Sequence, residues 1–336
     1  MKIDRRQFCS GVAASTASLM LPSAAHAEQS CTTPADTACR IIDASVNVGP
    51  KAKQIADTGI QTVIRFYTRL GNFDHGPYQN TALSQDELKA LEDKQLAMAT
   101  VFQYFSGGSG RTFHEPTKKI YDVRDALLYA DKTKQPEHST IYFGADFNLG
   151  PGDVGVIKEY FEHAQREVSK TNRQIGVYGC GRTCEILADE NWDGMKYWIS
   201  ASTSYWHTAE FFNSDGWHLF QTRADIARPF GSIDTNITNP KYTSFGQWRS
   251  NGNAVAEPAD ISRRIRDARQ FVTSRHTQLF SDPALSRPSD VLALFGRAVR
   301  VICRNGDATG ISLDETEVLR GYCKASDLSP TMPKFD

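Results

Sequence analysis

From Cys39 to about Asn239 the chain alternates short apolar runs with amphipathic stretches, which restricts it to an α/β architecture built on a parallel sheet. The strand-like runs are CRIIDASVNV, TVIRFYT, AMATVFQYF, STIYFGADFN, QIGVYGCG, KYWISAS, WHLFQT and GSIDTNI. Helix signals stand between them. PKAKQIADTG has Pro50 at its start and Gly59 at its end. Ser84-Gln85-Asp86-Glu87 is a capping box opening SQDELKALEDKQL, and Pro151-Gly152-Asp153 precedes a long helix reaching about Ser169.

Spacing separates an open sheet from a barrel. The marker residues Asp43, Arg65, Gln103, Asp146, Tyr178, Ser200, Gln221 and Asp234 lie 22, 38, 43, 32, 22, 21 and 13 residues apart. The early gaps hold full helices, and the last three hold at most a turn or two. The first strand–helix turn, DASVNVGPK, lacks GxGxxG, which removes the main argument for a dinucleotide-binding open sheet. The expected fold is an incomplete TIM-like (β/α)8 barrel over residues 38–245. GQWRSNGNAVAEP then reads as a linker or surface loop, and residues 258–330 read as a C-terminal helical extension with Ser289-Asp290 and Asp314 as candidate caps.

The N-terminus reads as an export signal. Arg5-Arg6 with Phe8 in DRRQFCSG matches the twin-arginine pattern, an Ala/Ser-rich stretch runs from Gly11 to Leu21, and Ala25-His26-Ala27 fits small-x-small cleavage. The stretch is too short and polar to span a bilayer, and Cys9 is misplaced for a lipobox. The expected destination is the periplasm or the extracellular space, by way of the twin-arginine machinery and without stable membrane insertion. Removing residues 1–27 takes away Lys2, Arg5, Arg6 and Asp4, so the net charge of −1 becomes −3. Neither value favours nucleic acid or an anionic surface. Six cysteines remain, Cys31, Cys39, Cys180, Cys184, Cys303 and Cys323; an even number in an exported chain points to disulfides, with local pairing 31–39, 180–184 and 303–323 among 15 possible connectivities.

Asp43, Asp146 and Asp234 each stand at or near the end of a strand-like run, so a parallel barrel brings them to one mouth. Two carboxylates are what glycoside hydrolysis requires, one protonated to serve the leaving oxygen and one to act as nucleophile, base or charge stabiliser. Asp146, flanked by Phe143 and Phe147, is the candidate acid, because desolvation raises a carboxyl pKa. The plainer alternative is that these aspartates only cap the following turns. Polar and aromatic companions are Arg65, Gln103, Tyr104, Tyr178, Trp198, Gln221 and Asn236, a set able to stack on sugars and hydrogen-bond their hydroxyls. Tyr104, Tyr178 and Trp198 read equally well as core aromatics. Arg65, inside an apolar run, is expected to pair with a barrel carboxylate.

Other chemistries find little support. There is no GxSxG, HExxH or CxxC, His218 sits within a strand rather than at its end, and GGSG after the third strand is not followed by GK[ST]. The i, i+4 pair Cys180/Cys184 has no histidine within several residues. No metal or cofactor is expected.

The Asp of the first strand, VIRFY, the capping-box helix before the third strand, IYFGAD, VYG, the Gln ending the seventh strand and the terminal IDTN together resemble the glycoside-hydrolase-like domain-of-unknown-function family. That family is known from twin-arginine-exported mycobacterial proteins and is similar to the family 25 (Chalaropsis-type) lysozymes. The resemblance covers residues 38–245 and implies an incomplete αβ barrel with its site at the strand C-termini. Family 25 lysozymes carry Asp-x-Glu at the fourth strand; here Gly144-Ala145-Asp146 lacks the first acid and shortens the second by a methylene. A carboxyl set back by about 1 Å can cost about 10²-fold in rate, so muramidase activity does not carry over. The expectation is an exported protein acting on a cell-envelope or extracellular glycan through Asp146, Asp43 and Asp234; the alternative is a non-catalytic glycan-binding or scaffold protein that kept the cleft.

Overall fold

A computed structural model describes residues 33–34, 40–69, 82–103, 110–228, 230–239, 241–250, 269–274, 276–313 and 319–334, all within the compact unit Cys31–Asp336. The export signal, the 31–39 cysteine pair, Tyr104 and residues 258–268 lie outside the described residues. A short strand β1 (Thr33–Pro34) precedes a closed barrel of β2 (Ile41–Ala44), β3 (Thr62–Tyr67), β4 (Ala97–Phe102), β5 (Thr140–Ala145), β6 (Gln174–Gly179), β7 (Lys196–Ile199), β8 (Leu219–Arg228) and β9 (Gly231–Thr238). Among the described residues six α-helices lie in the gaps between strands: α1 (Ala52–Asp57), α2 (Gln85–Glu92), α3 (Lys118–Lys132), α4 (Val154–Ser169), α5 (Gly181–Ala188) and α6 (Thr208–Asn213). The barrel is incomplete because β8 and β9 are joined directly, with no helix between them.

That missing helix changes the direction of the last strand. β2 to β8 run parallel, but β9 is antiparallel to both β8 and β2, correcting the expectation of a wholly parallel wall. A two-residue link can only reverse the chain, whereas a parallel return needs a crossover of a dozen residues or more. Beyond Phe220, β8 pairs only with β9, so the two strands continue past the wall as a hairpin, with register irregularities between Gln221 and Ile226.

The strand period then sorts side chains between two cores. Ile64, Ala99, Val101, Tyr142, Tyr178, Trp198 and Leu219 fill the barrel interior. Val63, Met98, Phe102, Ile141, Phe143 and Val177 face the helices and pack on Leu88, Leu91, Ile157 and Phe161. Gly176 makes room inside, since a Cβ there would stand 2.4 Å from the Tyr142 ring.

The end of the barrel opposite the strand C-termini is closed by residues expected to be a linker. Trp248 is wholly buried and exchanges backbone hydrogen bonds with Met98, the Phe245 carbonyl accepts from Tyr142 Oη at 2.7 Å, and the Gly246 carbonyl accepts from the Thr140 amide at 3.1 Å. Gly246 has φ +88°, and a Cβ there would stand 1.9 Å from Thr140 Oγ1. Gly246→Ala combines left-handed backbone with overpacking, so its expected cost is about 2–4 kcal/mol, read as a lowered denaturation midpoint. A midpoint equal to wild type contradicts this account of the floor.

The C-terminal region is a β-sheet, not the expected helical extension. β10 (Arg269–Val272), β11 (His276–Phe280), β12 (Pro288–Leu294), β13 (Ala298–Asn305), β14 (Ala308–Ser312), β15 (Gly321–Lys324) and β16 (Leu328–Ser329) form one antiparallel sheet, joined at β13 by β1. Alternation in Ala-Val-Arg-Val-Ile-Cys-Arg and the Gly306-Asp307 turn, with Gly306 at φ +59°, carry the hairpin signal that the apolar content obscured. Ser289 and Asp290, expected as caps, lie within β12; Asp314 is outside the described residues. The sheet packs on the barrel: Phe271 meets Phe212 and Phe220 at ring-centroid distances of 5.0 and 5.8 Å, and the Asn213 side chain exchanges two hydrogen bonds with the Met332 backbone.

Two expected disulfides do not form. Cys180, Cys184 and Cys323 are free, buried thiols, which excludes the 180–184 and 303–323 pairings. Cys303 is disulfide-bonded, with its partner outside the described residues. No helix among the described residues is long and apolar enough to cross a membrane.

Candidate active site at the barrel mouth

The antiparallel β9 brings two of the three aspartates into contact. Asp234 is the fourth residue of its strand rather than a strand end, yet it sits directly opposite Asp43 in the β2–β9 register. Opposed residues on one face have Cβ atoms about 4.5–5.5 Å apart, so both carboxyls enter the mouth side by side. Asp43 lies behind, at 3% exposure, and Asp234 is half-buried.

Gln221 ties the pair together. Its Nε2 donates to Asp234 Oδ2 at 2.8 Å and to both oxygens of Asp43 at 3.2 and 3.3 Å. The amide orientation is set independently, because Oε1 accepts from the backbone N–H of Ala201 at 3.1 Å, a group that can only donate. Asn236 works in the same way: Nδ2 donates to Asp43 at 2.7 Å while Oδ1 accepts from the Trp198 indole N–H at 2.9 Å. Burial lifts the Asp43 carboxyl well above the carboxylate range, the negative charge of Asp234 lifts it further, and donation from Asn236 and Gln221 only partly opposes them.

Asp146 joins this pair through Tyr178. Tyr178 Oη lies 2.9 Å from Gln221 Oε1 and 3.4 Å from Asp146 Oδ2. The phenol has one proton to give, and the shorter contact is to the Gln221 carbonyl, an acceptor. Its second, longer contact is to Asp146 Oδ2, which accepts the weaker arm of the same O–H donor. Burial raises the Asp146 carboxyl, opposed by the hydroxyls of Ser200 and Tyr178. Asp146 Oδ1 and Ser200 Oγ are buried atoms with no hydrogen bond of normal geometry, so that carboxyl oxygen remains uncommitted within the protein.

The desolvation of Asp146 does not come from its sequence neighbours. Phe143 and Phe147 point away from the mouth into the layer beneath the helices, Phe143 against Tyr160 and Phe147 against Phe113. Arg65 is displaced by the same parity. It shares a face with Val63 and Tyr67, is wholly buried outside the barrel, and pairs with Glu87 of α2 rather than with a barrel carboxylate: Nε to Oε1 at 2.7 Å, Nη2 to Oε2 at 3.0 Å. Nη1 also donates to the Ala44 carbonyl. Ser84 caps α2 by accepting from the Glu87 amide, but the Glu87 carboxylate accepts from the Val48 amide instead of closing the capping box.

The remaining residues take several roles. Gln103 lies inside the mouth, packed over Gly144, where a Cβ would come within 2.9 Å of its side chain. Trp198 is wholly buried with its ring 4.2 Å from that of Tyr178, forming the floor beneath the acids. Ser200 was missed as a site residue, although its place at the end of KYWIS was a readable signal. His218 lies just before β8, against Tyr242 at the far end, and burial with the Lys196 and Lys241 charges lowers it to about 3. Among the described residues no group of three or more His, Cys, Asp or Glu side chains could hold a metal.

The raised Asp43 carboxyl has a consequence for stability. The folded state keeps a proton that the unfolded chain releases above about 3.8, so this group's contribution falls as pH rises from there towards the folded value. Asp43→Asn removes that dependence. The expected result is a Tm higher by roughly 1–4 °C at pH 7 and a flatter Tm–pH curve above pH 4. A wild-type-like curve contradicts the raised Asp43 carboxyl.

The fold is a closed αβ barrel with an acidic, partly buried cluster at the strand C-termini. The chain belongs to the Rv2525c-like family of glycoside hydrolase-like domains, whose model matches residues 53–240. The Tat-secreted protein Rv2525c of Mycobacterium tuberculosis, solved with L-tartrate, is 21% identical over 63% of this chain and 100% of its own, with a TM-score of 0.50. A family 25 glycosyl hydrolase from Bacillus anthracis is 10% identical over 59% of this chain and 87% of its own, with a TM-score of 0.37. The glycosyl hydrolase 25 GHIP of Streptococcus pneumoniae is 12% identical over 65% and 91%, also with a TM-score of 0.37. The likeness to Rv2525c is one of fold. No curated protein matches the chain.

Proposed function

We propose that this is an exported glycoside hydrolase-like protein that cleaves a cell-envelope or extracellular glycan, with Asp146 as general acid and the Asp43–Asp234 pair as the second acidic element. The observation that carries the reading is the continuous chain from Asp146 through Tyr178 and Gln221 to Asp234 and Asp43. Burial and the Asp234 charge raise the Asp43 carboxyl, leaving Asp234, the less buried member, to face the positive charge of an oxocarbenium-like transition state. Gln221, Asn236 and Trp198 position the acids, and Gln103 and Tyr178 line the mouth where a sugar would lie. Export is supported by the Arg5-Arg6 pattern and by the secretion route named for Rv2525c.

One observation favours a second reading, a glycan-binding protein without turnover. Asp43 is buried with both oxygens already hydrogen-bonded, and the fourth strand offers a single aspartate. Incubation of the mature protein with peptidoglycan and a polysaccharide panel distinguishes the two. New reducing ends, lost in Asp146→Asn, support cleavage; binding without release, unchanged in Asp146→Asn, supports the second reading.

A further inference from the structure

We infer that Trp206 is a stacking platform for a pyranose ring on the rim of the mouth, an inference that rests on the glycan reading above. Trp206 is 50% exposed, whereas Trp198, Trp217 and Trp248 are wholly buried. It lies in the segment after β7, so it emerges on the same end of the barrel as Asp146.

Two connections place it in the acid's sector. The Trp206 amide donates to Asn148 Oδ1 at 2.9 Å, and Asn148 is two residues beyond Asp146. The Trp206 carbonyl accepts from the Arg182 amide at 3.0 Å, at the start of the helix that follows β6. The rim residue is therefore anchored to the loops after β5 and β6, whose strands carry Asp146 and Tyr178 towards the mouth.

The backbone beneath the ring is held against its own preference. His207 has φ +58°, in the left-handed region that costs a non-glycine residue about 1–2 kcal/mol. The turn persists because its surroundings over-determine it. The His207 ring contacts Glu185 through Nδ1 at 2.5 Å and Arg182 through Nε2 at 3.3 Å. Thr208 Oγ1 accepts from the Gly181 amide at 3.1 Å, and a Cβ on Gly181 would stand 2.2 Å from the His207 carbonyl oxygen. Strain maintained by tight packing is a feature of ligand clamps. A large apolar ring left half in water on so rigid a turn costs little ordering when a ligand arrives. The apolar face of a pyranose can lie flat on an indole, and its hydroxyls then remain free for hydrogen bonds.

The test uses the mature protein with chitooligosaccharides and solubilised peptidoglycan, reading affinity by calorimetry and thermal stability in parallel. Trp206→Ala is expected to weaken binding about tenfold or more with Tm unchanged, Trp206→Phe to retain most of the affinity, and Leu294→Ala, an exposed apolar control on β12, to have no effect. Wild-type affinity in Trp206→Ala overturns the platform and leaves the glycan reading standing. A loss shared equally by Leu294→Ala overturns it too, because the effect is then generic stickiness. Failure of the wild-type protein to bind any of these probes overturns both.

Discussion

Asp146→Asn is expected to lower glycan cleavage by about 10²–10⁴-fold while leaving the fold intact, the range for loss of a positioned general acid. The substitution is a sharp one because the amide is isosteric with the carboxyl: its Oδ1 can still accept from Tyr178 Oη, and the Tyr178–Gln221 bond is undisturbed. A merely structural aspartate predicts the reverse, unchanged turnover with altered stability. The pH profile provides a second readout. Burial raises the Asp146 carboxyl, so the acid form persists above the ordinary value of 3.8, and activity is expected to fall on the alkaline side as that proton is lost. Asp146→Glu advances the carboxyl by about 1 Å and keeps the proton, so partial activity is expected from it and none from Asp146→Ala. A cleavage rate in Asp146→Asn within a factor of two of wild type removes Asp146 from the acid role.

Arg65→Met is expected to destabilise the barrel by about 3–5 kcal/mol, because it leaves Glu87 charged and wholly buried against the Val48 amide alone. Glu87→Gln is expected to cost a similar amount for the opposite reason, a buried guanidinium whose charge no carboxylate balances. The double variant Arg65→Met/Glu87→Gln is expected to recover most of the loss. Neither charge is then buried, and the Gln carbonyl still serves Val48. Denaturant midpoints of the three variants form a double-mutant cycle. Singles costing under about 1 kcal/mol, or an additive double, would mean that the pair is screened in the manner of a surface bridge. Glycan binding is expected to be unaffected after correction for unfolding, since Arg65 faces the helices and not the mouth.

Arg65 also shows why part of the candidate site could not be read directly. Asp43 and Ile64 are register partners on the inner face, and Ala44 and Arg65 are partners on the outer one. One residue along a strand reverses the face. In a barrel covered by helices both faces of a strand are apolar, so VIRFY and IYFGAD lack the polar–apolar alternation that would reveal which side is which. For the same reason Phe143 and Phe147 looked like neighbours of the Asp146 carboxyl and are not. Asp43, Asp146 and Asp234 were legible because a carboxylate at the end of an apolar run is conspicuous on either face. Trp206 was not, since a tryptophan in a polar segment has no period to betray it.

The order of strands and helices, the gap too short for a helix between β8 and β9, and the three aspartates at one end of the barrel were decided by local propensity, capping and spacing. Those interactions act within a few residues of one another and leave their pattern in the chain. Tertiary pairing decided the rest. β9 reverses because its link to β8 is too short for a crossover, and that reversal sets Asp234 opposite Asp43. Gln221 and Asn236 become donors to those acids only because Ala201 and Trp198, distant in sequence, occupy their carbonyl oxygens. The C-terminal segment becomes a sheet because short β-branched strands gain their hydrogen bonds from one another, a contribution no single strand carries alone.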